Sequence, residues 1–390
     1  MTSTSPSIES QAQAQAETQT QAQPQHQAHK DKTFRNYDAS SAAAYAQYRP
    51  PYPDKLIDII IDKHVSTGGR LDLLLDVGCG PGTATRSLAP RFTHAVAADP
   101  GQSMVEMARQ IPSTTRSGEP VRFEVCEAEK LSRLLPVLQE SAAQAPVQGE
   151  RGPESGSGSA SECVDLITAA TAAHWFDMPA FYREAAKILR PGGSIIIWCT
   201  KGGYCTPDTP NAEKLTRLFQ EFEDDAILEF EEPGNRMTRD LYAGLPLPWD
   251  GVGVGDGDAS KASSSAAATG ATGGEPLDLD LSTIFPKDQY QRLEFNKDGH
   301  VPPGEQFLLS RRFTLDQVKK ALGTVSPVTR WREAYKDKLA AGEVEDCVDK
   351  LVRQTRELLE ESQTPEGEGK PRDWIEGGSA VVVLVIKKRK

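Results

Sequence analysis

The stretch Asp76-Val77-Gly78-Cys79-Gly80-Pro81-Gly82 decides the fold of this 390-residue chain. It follows an apolar run over residues 71–77 and precedes a stretch of helical periodicity over residues 83–88. Glycine has no Cβ atom, so a turn of this composition can be tight and lets a ligand approach the backbone closely. A glycine-rich turn between a strand and a helix is where a doubly wound α/β sheet binds its ligand.

Apolar runs of strand length alternate with amphipathic helical stretches over residues 71–200, which predicts a mostly parallel sheet covered by helices. The predicted strands are residues 71–77, 94–98, 121–125, 164–168 and 194–199, with an apolar run at 307–309 and a last strand at 380–386. The predicted helices are residues 83–88, 103–110, 179–189, 314–322 and 331–359. The fold prediction is an α/β, Rossmann-like sheet of seven mixed strands with a helical cap insertion.

Composition divides the chain into four predicted parts. Residues 1–32 are rich in Gln, Ser and Ala and are predicted to be a disordered leader, because they bury too little apolar surface to offset chain entropy. Residues 33–200 are predicted as the ligand-binding domain, with a low-complexity insert over 140–162. Residues 201–306 are predicted as the cap, with low complexity over 251–275, and residues 307–390 as strands and helices that complete the sheet.

The formal charge of −12 argues against a nucleic-acid partner, because an acidic surface repels a phosphate backbone. The basic cluster at residues 387–390 is predicted to be a solvated end, with a nuclear signal as the alternative. No apolar run of about 18 residues occurs, and the leader lacks the features of a targeting segment. Six cysteines are scattered without metal-ligand spacing. We therefore expect a cytoplasmic monomer or weak dimer, with reduced thiols, no metal site and no membrane contact.

An acidic residue beyond the glycine loop indicates an adenosine ligand. The loop reads G-x-G-x-G with Pro81 inside it, whereas a dinucleotide fingerprint reads G-x-G-x-x-G. Asp99 ends the second predicted strand 23 residues after Asp76, where a carboxylate can accept hydrogen bonds from both ribose hydroxyls. The match to NAD enzymes is imperfect, and an NAD-binding protein with an unusual loop remains an alternative.

D-V-G-C-G-P-G over residues 76–82 and A-A-D-P over residues 97–100 resemble the class I S-adenosylmethionine-dependent methyltransferases, with similarity over residues 34–200. The resemblance implies S-adenosylmethionine as cofactor, with Gly78 and Gly80 lining its methionine part and Asp99 its ribose. The other loop residues that it implies as cofactor-binding are Asp76, Cys79 and Gly82.

The same resemblance implies an adenine site beyond the second and third strands. It places Pro100 and Met104 against one face of the adenine, although Met104 can equally be helix core. Glu127 stands where the family has an acidic residue near the adenine amino group. A plain surface acid is the alternative interpretation of Glu127.

Three further stretches resemble fungal trans-aconitate methyltransferase-like proteins: Y-A-Q-Y-R-P-P-Y-P over residues 45–53, a predicted lid, T-A-A-T-A-A-H-W-F-D over 168–177, and E-P-G-N-R over 232–236. The cofactor-binding residues implied here are Tyr48, Arg49 and Ala169. The substrate-binding residues implied are His174, Trp175 and Arg236. No catalytic role is assigned, because a histidine beside aromatic residues is more often a packing residue.

The resemblance implies methyl transfer to a small-molecule acceptor, with the reactive group supplied by the cofactor. A carboxylate acceptor is ionised at neutral pH and needs no general base. Arginine suits a carboxylate best, and motif context favours Arg49 and Arg236 over Arg311, Arg312 and Arg330. The predicted function is methyl-ester formation on a carboxylic acid of the trans-aconitate type. The alternatives are methylation of a neutral secondary metabolite and a cofactor-binding regulatory protein without turnover.

Overall fold

The computed structural model describes residues 34–143, 161–250, 280–302, 304–361 and 372–390. Within these ranges one sheet contains the strands β1 Leu73–Val77, β2 His94–Asp99, β3 Arg122–Val125, β4 Val164–Ala170, β5 Leu189–Cys205, β6 Gln291–Phe295, β7 Leu309–Thr314 and β8 Trp374–Lys387. The α/β, Rossmann-like class is therefore confirmed, and each apolar run that predicted a strand lies in or next to one.

The strands are ordered β3-β2-β1-β4-β5-β8-β6 across the sheet, and β7 also pairs with β8. β1 to β5 pair in parallel, whereas β8 is antiparallel to β5, β6 and β7. β1 is buried along its whole length, as expected for a strand covered by helices on both faces. Because β1, β2 and β4 are parallel, the loops that follow them meet at one edge of the sheet.

The sheet has eight strands within the described ranges, whereas the sequence predicted seven. The added strand is β6, which lies inside the stretch predicted as cap. β6 pairs with residues 381–385 and β7 with residues 374–379, so the two strands share one edge of β8. β6 has only two apolar side chains, Leu293 and Phe295, and is only half buried, which is typical of a short edge strand and gives no continuous apolar run.

The α-helices of the described ranges are α1 Ala39–Tyr48, α2 Asp54–Ser66, α3 Thr83–Leu88, α4 Gln102–Gln110, α5 Leu135–Ala143, α6 Met178–Ile188, α7 Ala212–Glu221, α8 Pro233–Arg239, α9 Leu281–Ile284, α10 Leu315–Leu322, α11 Ser326–Ala334, α12 Lys336–Ala340 and α13 Cys347–Glu361. The prediction of a single helix over 331–359 is wrong, because this stretch is divided among α11, α12 and α13. Gly342 has a φ of +70°, which a right-handed helix does not continue. Residues 140–143, predicted as insert, are the last residues of α5.

The cap is built from two separate stretches of the chain. α7, a π-helical turn at Phe222–Ala226 and α8 form its first part. Phe222 packs in one apolar cluster with Val328 of α11 and Leu351 of α13. The predicted boundary between cap and sheet at residue 306 is therefore not observed. The sheet strand β6 precedes this residue, and the cap helices α11 and α13 follow it.

Half of the basic cluster at residues 387–390 is buried, which corrects the prediction of a solvated end for Lys387 and Lys388, whereas Arg389 and Lys390 are exposed. Lys387 and Lys388 are only 3% and 8% exposed, because β8 continues as far as Lys387. Lys387 Nζ donates to the Gly192 carbonyl at 2.6 Å and to Ser194 Oγ at 2.9 Å. Lys388 Nζ pairs with Glu162 at 2.6 Å. Burial lowers the pKa of Lys387 to about 8.

The predicted leader, residues 144–160 of the predicted insert and the stretch 251–275 lie outside the described residues. Among the helices that are described, none combines the length and apolarity needed to cross a bilayer. In the same part of the chain, no three His, Cys, Asp or Glu side chains are grouped as metal ligands would be. The six cysteines are all buried free thiols.

Candidate active site

The loop between β1 and α3 depends on its three glycines. Gly78, Gly80 and Gly82 have φ values of +67°, +53° and +84°, in the left-handed region that favours glycine. A Cβ atom at Gly78 would lie 2.6 Å from the Cβ of Ala172, and one at Gly82 would lie 2.9 Å from the Phe123 ring. A Cβ atom at Gly80 would have no described atom within 4 Å. Gly78 and Gly82 therefore pack the loop against the protein, and Gly80 faces open space that a ligand can fill.

Asp99, at the end of β2, holds this loop in place. Its Oδ2 accepts the N–H of Gly80 at 2.8 Å, and its Oδ1 accepts the N–H of Gly101 at 2.8 Å. The N–H of Cys79 donates to the carbonyl of Ala98, next to Asp99, at 3.1 Å. Each carboxylate oxygen can accept two hydrogen bonds, and contact of Asp99 with ribose hydroxyls stays a prediction.

Asp76 is buried beneath the loop and is bonded within the protein. Its carboxylate accepts the hydroxyl of Thr85 at 2.5 Å and that of Thr168 at 2.7 Å. Burial raises the pKa of Asp76 to about 6. Burial also raises the pKa of the Cys79 thiol well above its usual range, as expected for an unreactive cysteine. Both residues support the loop from inside, and their contact with a ligand stays a prediction.

The residues predicted to face adenine lie just beyond Asp99. Pro100 is half-buried, and Met104 is 2% exposed within α4. The Cγ of Met104 lies 3.3 Å from the position of a Cβ atom at Gly101, so its side chain reaches the turn that Asp99 holds. Met104 is therefore both helix core and a neighbour of the predicted ribose site.

Glu127 follows β3 at the same edge of the sheet. The N–H of Cys126 donates to the carbonyl of Asp99 at 3.1 Å, which places the start of this turn beside Asp99. The Glu127 carboxylate pairs with Arg35 at 2.9 Å and also with Lys130. Glu127 is thus held between two cations and is not an isolated surface acid.

The stretch predicted as a lid lies against the turn between α10 and α11. Arg49 Nε donates to Thr324 Oγ1 at 3.0 Å, and its guanidinium lies 5.1 Å from the centre of the Tyr45 ring. The ammonium of Lys320 lies 5.4 Å from the centre of the Tyr48 ring. The structure therefore ties Tyr48 and Arg49 to the cap, and their contact with the cofactor stays a prediction.

Tyr52 and Thr171, which were not predicted as site residues, join this stretch to the end of the sheet. Their hydroxyls are 3.3 Å apart, and the Tyr52 ring makes an edge contact with Trp198 at 5.5 Å. Burial raises the pKa of Tyr52 to about 12. Thr171 has a φ of +50°, which is strained for a β-branched side chain, and such strain clusters at functional sites.

β4 and the turn after it contain three of the predicted site residues. Ala169 is fully buried in the core, so its side chain does not line an open site. His174 Nδ1 is bonded to the Tyr242 hydroxyl at 2.7 Å, and burial lowers the pKa of His174 to about 3. The Trp175 ring is so close to α8 that a Cβ atom at Gly234 would lie 2.8 Å from it. His174 and Trp175 therefore join the sheet to the cap.

Arg236 is exposed on α8, two residues beyond Gly234. Residues two apart on a helix do not share a face, so Arg236 points away from the side that contacts Trp175. Between them, Asn235 bonds to Ser326 Oγ at 3.1 Å and fixes α8 to α11. The structure does not bring Arg236 against the other predicted site residues, and its contact with an acceptor stays a prediction.

Residues 75–195 match the family model of a methyltransferase domain. This stretch contains the end of β1, the glycine loop, β2 with Asp99, β3, β4 and the turn after β4. The prediction of a methyltransferase domain in this part of the chain is therefore confirmed.

Relatives with similar sequences are found in amoebae and fungi. A Dictyostelium discoideum protein named as a methyltransferase is 36% identical over 159 residues, covering 41% of this chain and 47% of the relative. CRG1 of Saccharomyces cerevisiae, named as an S-adenosylmethionine-dependent methyltransferase, is 27% identical over 157 residues, covering 40% and 44%. Methyltransferase cfoB of Aspergillus candidus is 28% identical over 191 residues, covering 48% and 52%. The chain thus spans about half the length of these relatives.

Proposed function

We propose that this chain uses S-adenosylmethionine to methylate the carboxylate of a small organic acid of the trans-aconitate type. The observation that carries the proposal is the glycine loop held by Asp99, with open space at Gly80.

S-adenosylmethionine fits the arrangement of the residues. Its methionine part would lie over Gly80, its ribose hydroxyls would donate to Asp99, and its adenine would lie between Met104 and Glu127. When bound, it supplies a methyl group on a sulfonium, which is the electrophile of the reaction. The protein aligns this group with the acceptor and excludes water.

The titratable side chains after β4 and beneath the glycine loop favour an acceptor that is already ionised. His174, with a pKa lowered to about 3 by burial, is too weak a base at neutral pH. Tyr52, with a pKa raised to about 12, keeps its proton. Asp76 is fully buried, and each of its oxygens already accepts a threonine hydroxyl. A carboxylate needs no base, because its pKa lies near 4.

The reaction then balances without proton transfer. A carboxylate oxygen of the acceptor forms a bond to the methyl carbon while the carbon–sulfur bond breaks. The electron pair of that bond returns to sulfur, so the sulfonium becomes a neutral thioether. Arg49 is the better placed cation to attract such an acceptor, because it lies beside Tyr45 and Thr324 whereas Arg236 is exposed on the far side of α8.

A neutral metabolite is a second candidate acceptor, because aromatic rings surround the turn after β4. The Phe34 ring lies 5.7 Å from that of Tyr45 and 6.3 Å from that of Trp175, both in edge contact. Such surfaces accommodate apolar ligands. The charge of the active acceptors separates the two candidates.

The test is a mass-spectrometric assay of the full chain with S-adenosylmethionine and either trans-aconitate or uncharged phenols and alcohols. We expect a methyl ester of trans-aconitate, formed in equal amount with S-adenosyl-L-homocysteine, and its loss in Asp99→Ala. Methylation of uncharged acceptors alone would replace the carboxylate proposal with the neutral-metabolite alternative. If the chain binds the cofactor but forms no S-adenosyl-L-homocysteine with any acceptor, a regulatory protein without turnover is favoured.

A further inference from the structure

We propose that residues 34–37 form a clamp over the adenosine half of the cofactor, and that Arg35 is a positioning residue that makes Glu127 select a 6-aminopurine. This inference rests on the proposed cofactor site, and it assigns a role to residues outside the sequence motifs discussed above. We refer to residues 34–37 as the clamp.

The clamp lies directly over the turn that follows Asp99. The carbonyl oxygen of Phe34 is 3.3 Å from the position of a Cβ atom at Gly101, whose N–H is bonded to Asp99. The hydroxyl of Ser103 donates to the carbonyl of Tyr37 at 2.6 Å. Backbone atoms at both ends of the clamp therefore contact the segment predicted to hold ribose and adenine.

An ion pair fastens the middle of the clamp to the other side of the adenosine site. Arg35 pairs with Glu127 at 2.9 Å, and their side chains are only 28% and 20% exposed. Lys130 also pairs with Glu127. Two cations on one carboxylate limit its rotation, and each carboxylate oxygen can accept two hydrogen bonds.

Aromatic contacts connect the clamp to the rest of the site. The Phe34 ring makes edge contacts with Tyr45 of α1 and with Trp175 after β4. The Tyr37 hydroxyl donates to the carbonyl of Thr324 at 3.4 Å, and Thr324 also accepts from Arg49. A ligand that fills the adenosine site would therefore lie against residues from the clamp, the sheet edge and the cap.

The chemistry of a fixed carboxylate identifies the class of purine. A 6-amino group donates a hydrogen bond that the carboxylate can accept, whereas a 6-oxo group presents an acceptor that a carboxylate repels. A freely rotating carboxylate discriminates less well, because it can turn away from the wrong partner. Arg35 thereby contributes to selectivity without touching the reacting atoms.

The test compares the binding of S-adenosyl-L-homocysteine with that of its 6-oxo analogue, S-inosyl-L-homocysteine, by calorimetry on the full chain. We expect the wild-type chain to prefer the 6-amino ligand by roughly tenfold or more, the scale of a hydrogen bond to a charged group. Arg35→Gln should weaken binding of the 6-amino ligand by roughly threefold to fivefold and lower the preference by a similar factor. Glu127→Gln, which can donate to a 6-oxo group, should bring the preference near unity.

Arg91→Gln is the matched control, because Arg91 pairs with Asp58 at 2.6 Å on another part of the surface. It should change neither affinity nor preference. The double variant Arg35→Gln, Glu127→Gln should resemble Glu127→Gln alone, since Arg35 acts through Glu127. The clamp assignment is overturned if the wild-type chain binds the 6-amino ligand but Arg35→Gln keeps its affinity and preference, whatever the effect of Glu127→Gln. A wild-type chain that binds neither ligand would instead contradict the proposed cofactor site.

Discussion

The carboxylate of Asp99 and the amide of Gly80 are joined by a hydrogen bond of 2.8 Å, which connects the end of β2 to the glycine loop after β1. Asp99 is the predicted ribose ligand, and Gly80 faces the space predicted for the methionine part. The two halves of the proposed cofactor site are therefore coupled before a ligand arrives. A ligand that contacts both meets a surface that is already arranged, which reduces the entropy cost of binding.

Asp99→Ala should lower the affinity for S-adenosyl-L-homocysteine by about 1.5 to 3 kcal/mol, the usual range for hydrogen bonds to a charged partner. Calorimetry measures the change, with a thermal melt to confirm that the variant is folded. Asp58→Ala is the control, because Asp58 is an exposed acid paired with Arg91 away from the loop. Equal affinities for the folded Asp99 variant and the wild-type chain would remove Asp99 from the site.

Gly80→Ala should mainly weaken ligand binding, whereas Gly78→Ala should mainly lower the stability of the fold. An alanine at position 80 meets no described atom within 4 Å, so its cost is about 1 to 2 kcal/mol for the left-handed backbone. Its methyl group enters the ligand space and should weaken S-adenosyl-L-homocysteine by about tenfold or more. An alanine at position 78 collides with Ala172 and should lower the melting temperature further. Normal binding by Gly80→Ala would show that the ligand lies elsewhere.

His174→Gln should make stability less sensitive to acid. Burial lowers the folded-state pKa of His174 to about 3, below its ordinary value of 6.5. The unfolded state therefore binds one more proton between these values, and stability falls as pH decreases through that window. Between pH 5.5 and 4.5 the slope should be shallower by about 1.4 kcal/mol per pH unit in His174→Gln.

Denaturant titrations at several pH values measure these slopes. The exposed His300 provides the control, since His300→Gln should leave the slope unchanged. His64 contributes in the same direction as His174, because burial lowers its pKa to about 4. A His174→Gln slope identical to that of the wild-type chain would mean that the imidazole is protonated in the folded state.

Arg49→Gln should raise the Michaelis constant for trans-aconitate by about tenfold, as expected when one charge-assisted contact to a carboxylate is lost. Arg236→Gln is the matched comparison, because Arg236 is exposed on the opposite side of α8 from Trp175 and should have a smaller effect. Affinity for S-adenosyl-L-homocysteine should change less than threefold in Arg236→Gln, and measuring it in Arg49→Gln separates loss of the acceptor contact from loss of the predicted cofactor contact. A larger effect of Arg236→Gln would show that the cap moves Arg236 toward the acceptor.

The sequence predicts the parallel part of the sheet well because these strands are buried on both faces. β1 consists of Leu73 to Val77, all buried, and its apolar run is followed at once by the glycine loop. β6 was not predicted, because an edge strand needs apolar residues on one face only. Its five residues include only two apolar ones, which is too weak a pattern to distinguish from a loop. The break of the last predicted helix at Gly342 follows from one residue within a continuing apolar pattern.

The sequence predicts those site residues that are close together along the chain. It does not predict contacts between residues that are far apart along the chain. The glycine loop and Asp99 lie within 24 residues of one another, on consecutive strands of a known order. Arg35 and Glu127 are separated by 92 residues, and Arg49 and Thr324 by 275. Such pairs depend on how the N-terminal segment crosses the sheet edge, which no local pattern specifies.

Calorimetric titration of the full chain with S-adenosyl-L-homocysteine tests the central claim most directly. The glycine loop and Asp99 predict one site per chain, with a dissociation constant in the micromolar range or tighter. NAD should not compete for this site, because the loop lacks the dinucleotide spacing. Tight binding of NAD, with no binding of S-adenosyl-L-homocysteine or S-adenosylmethionine, would contradict the account.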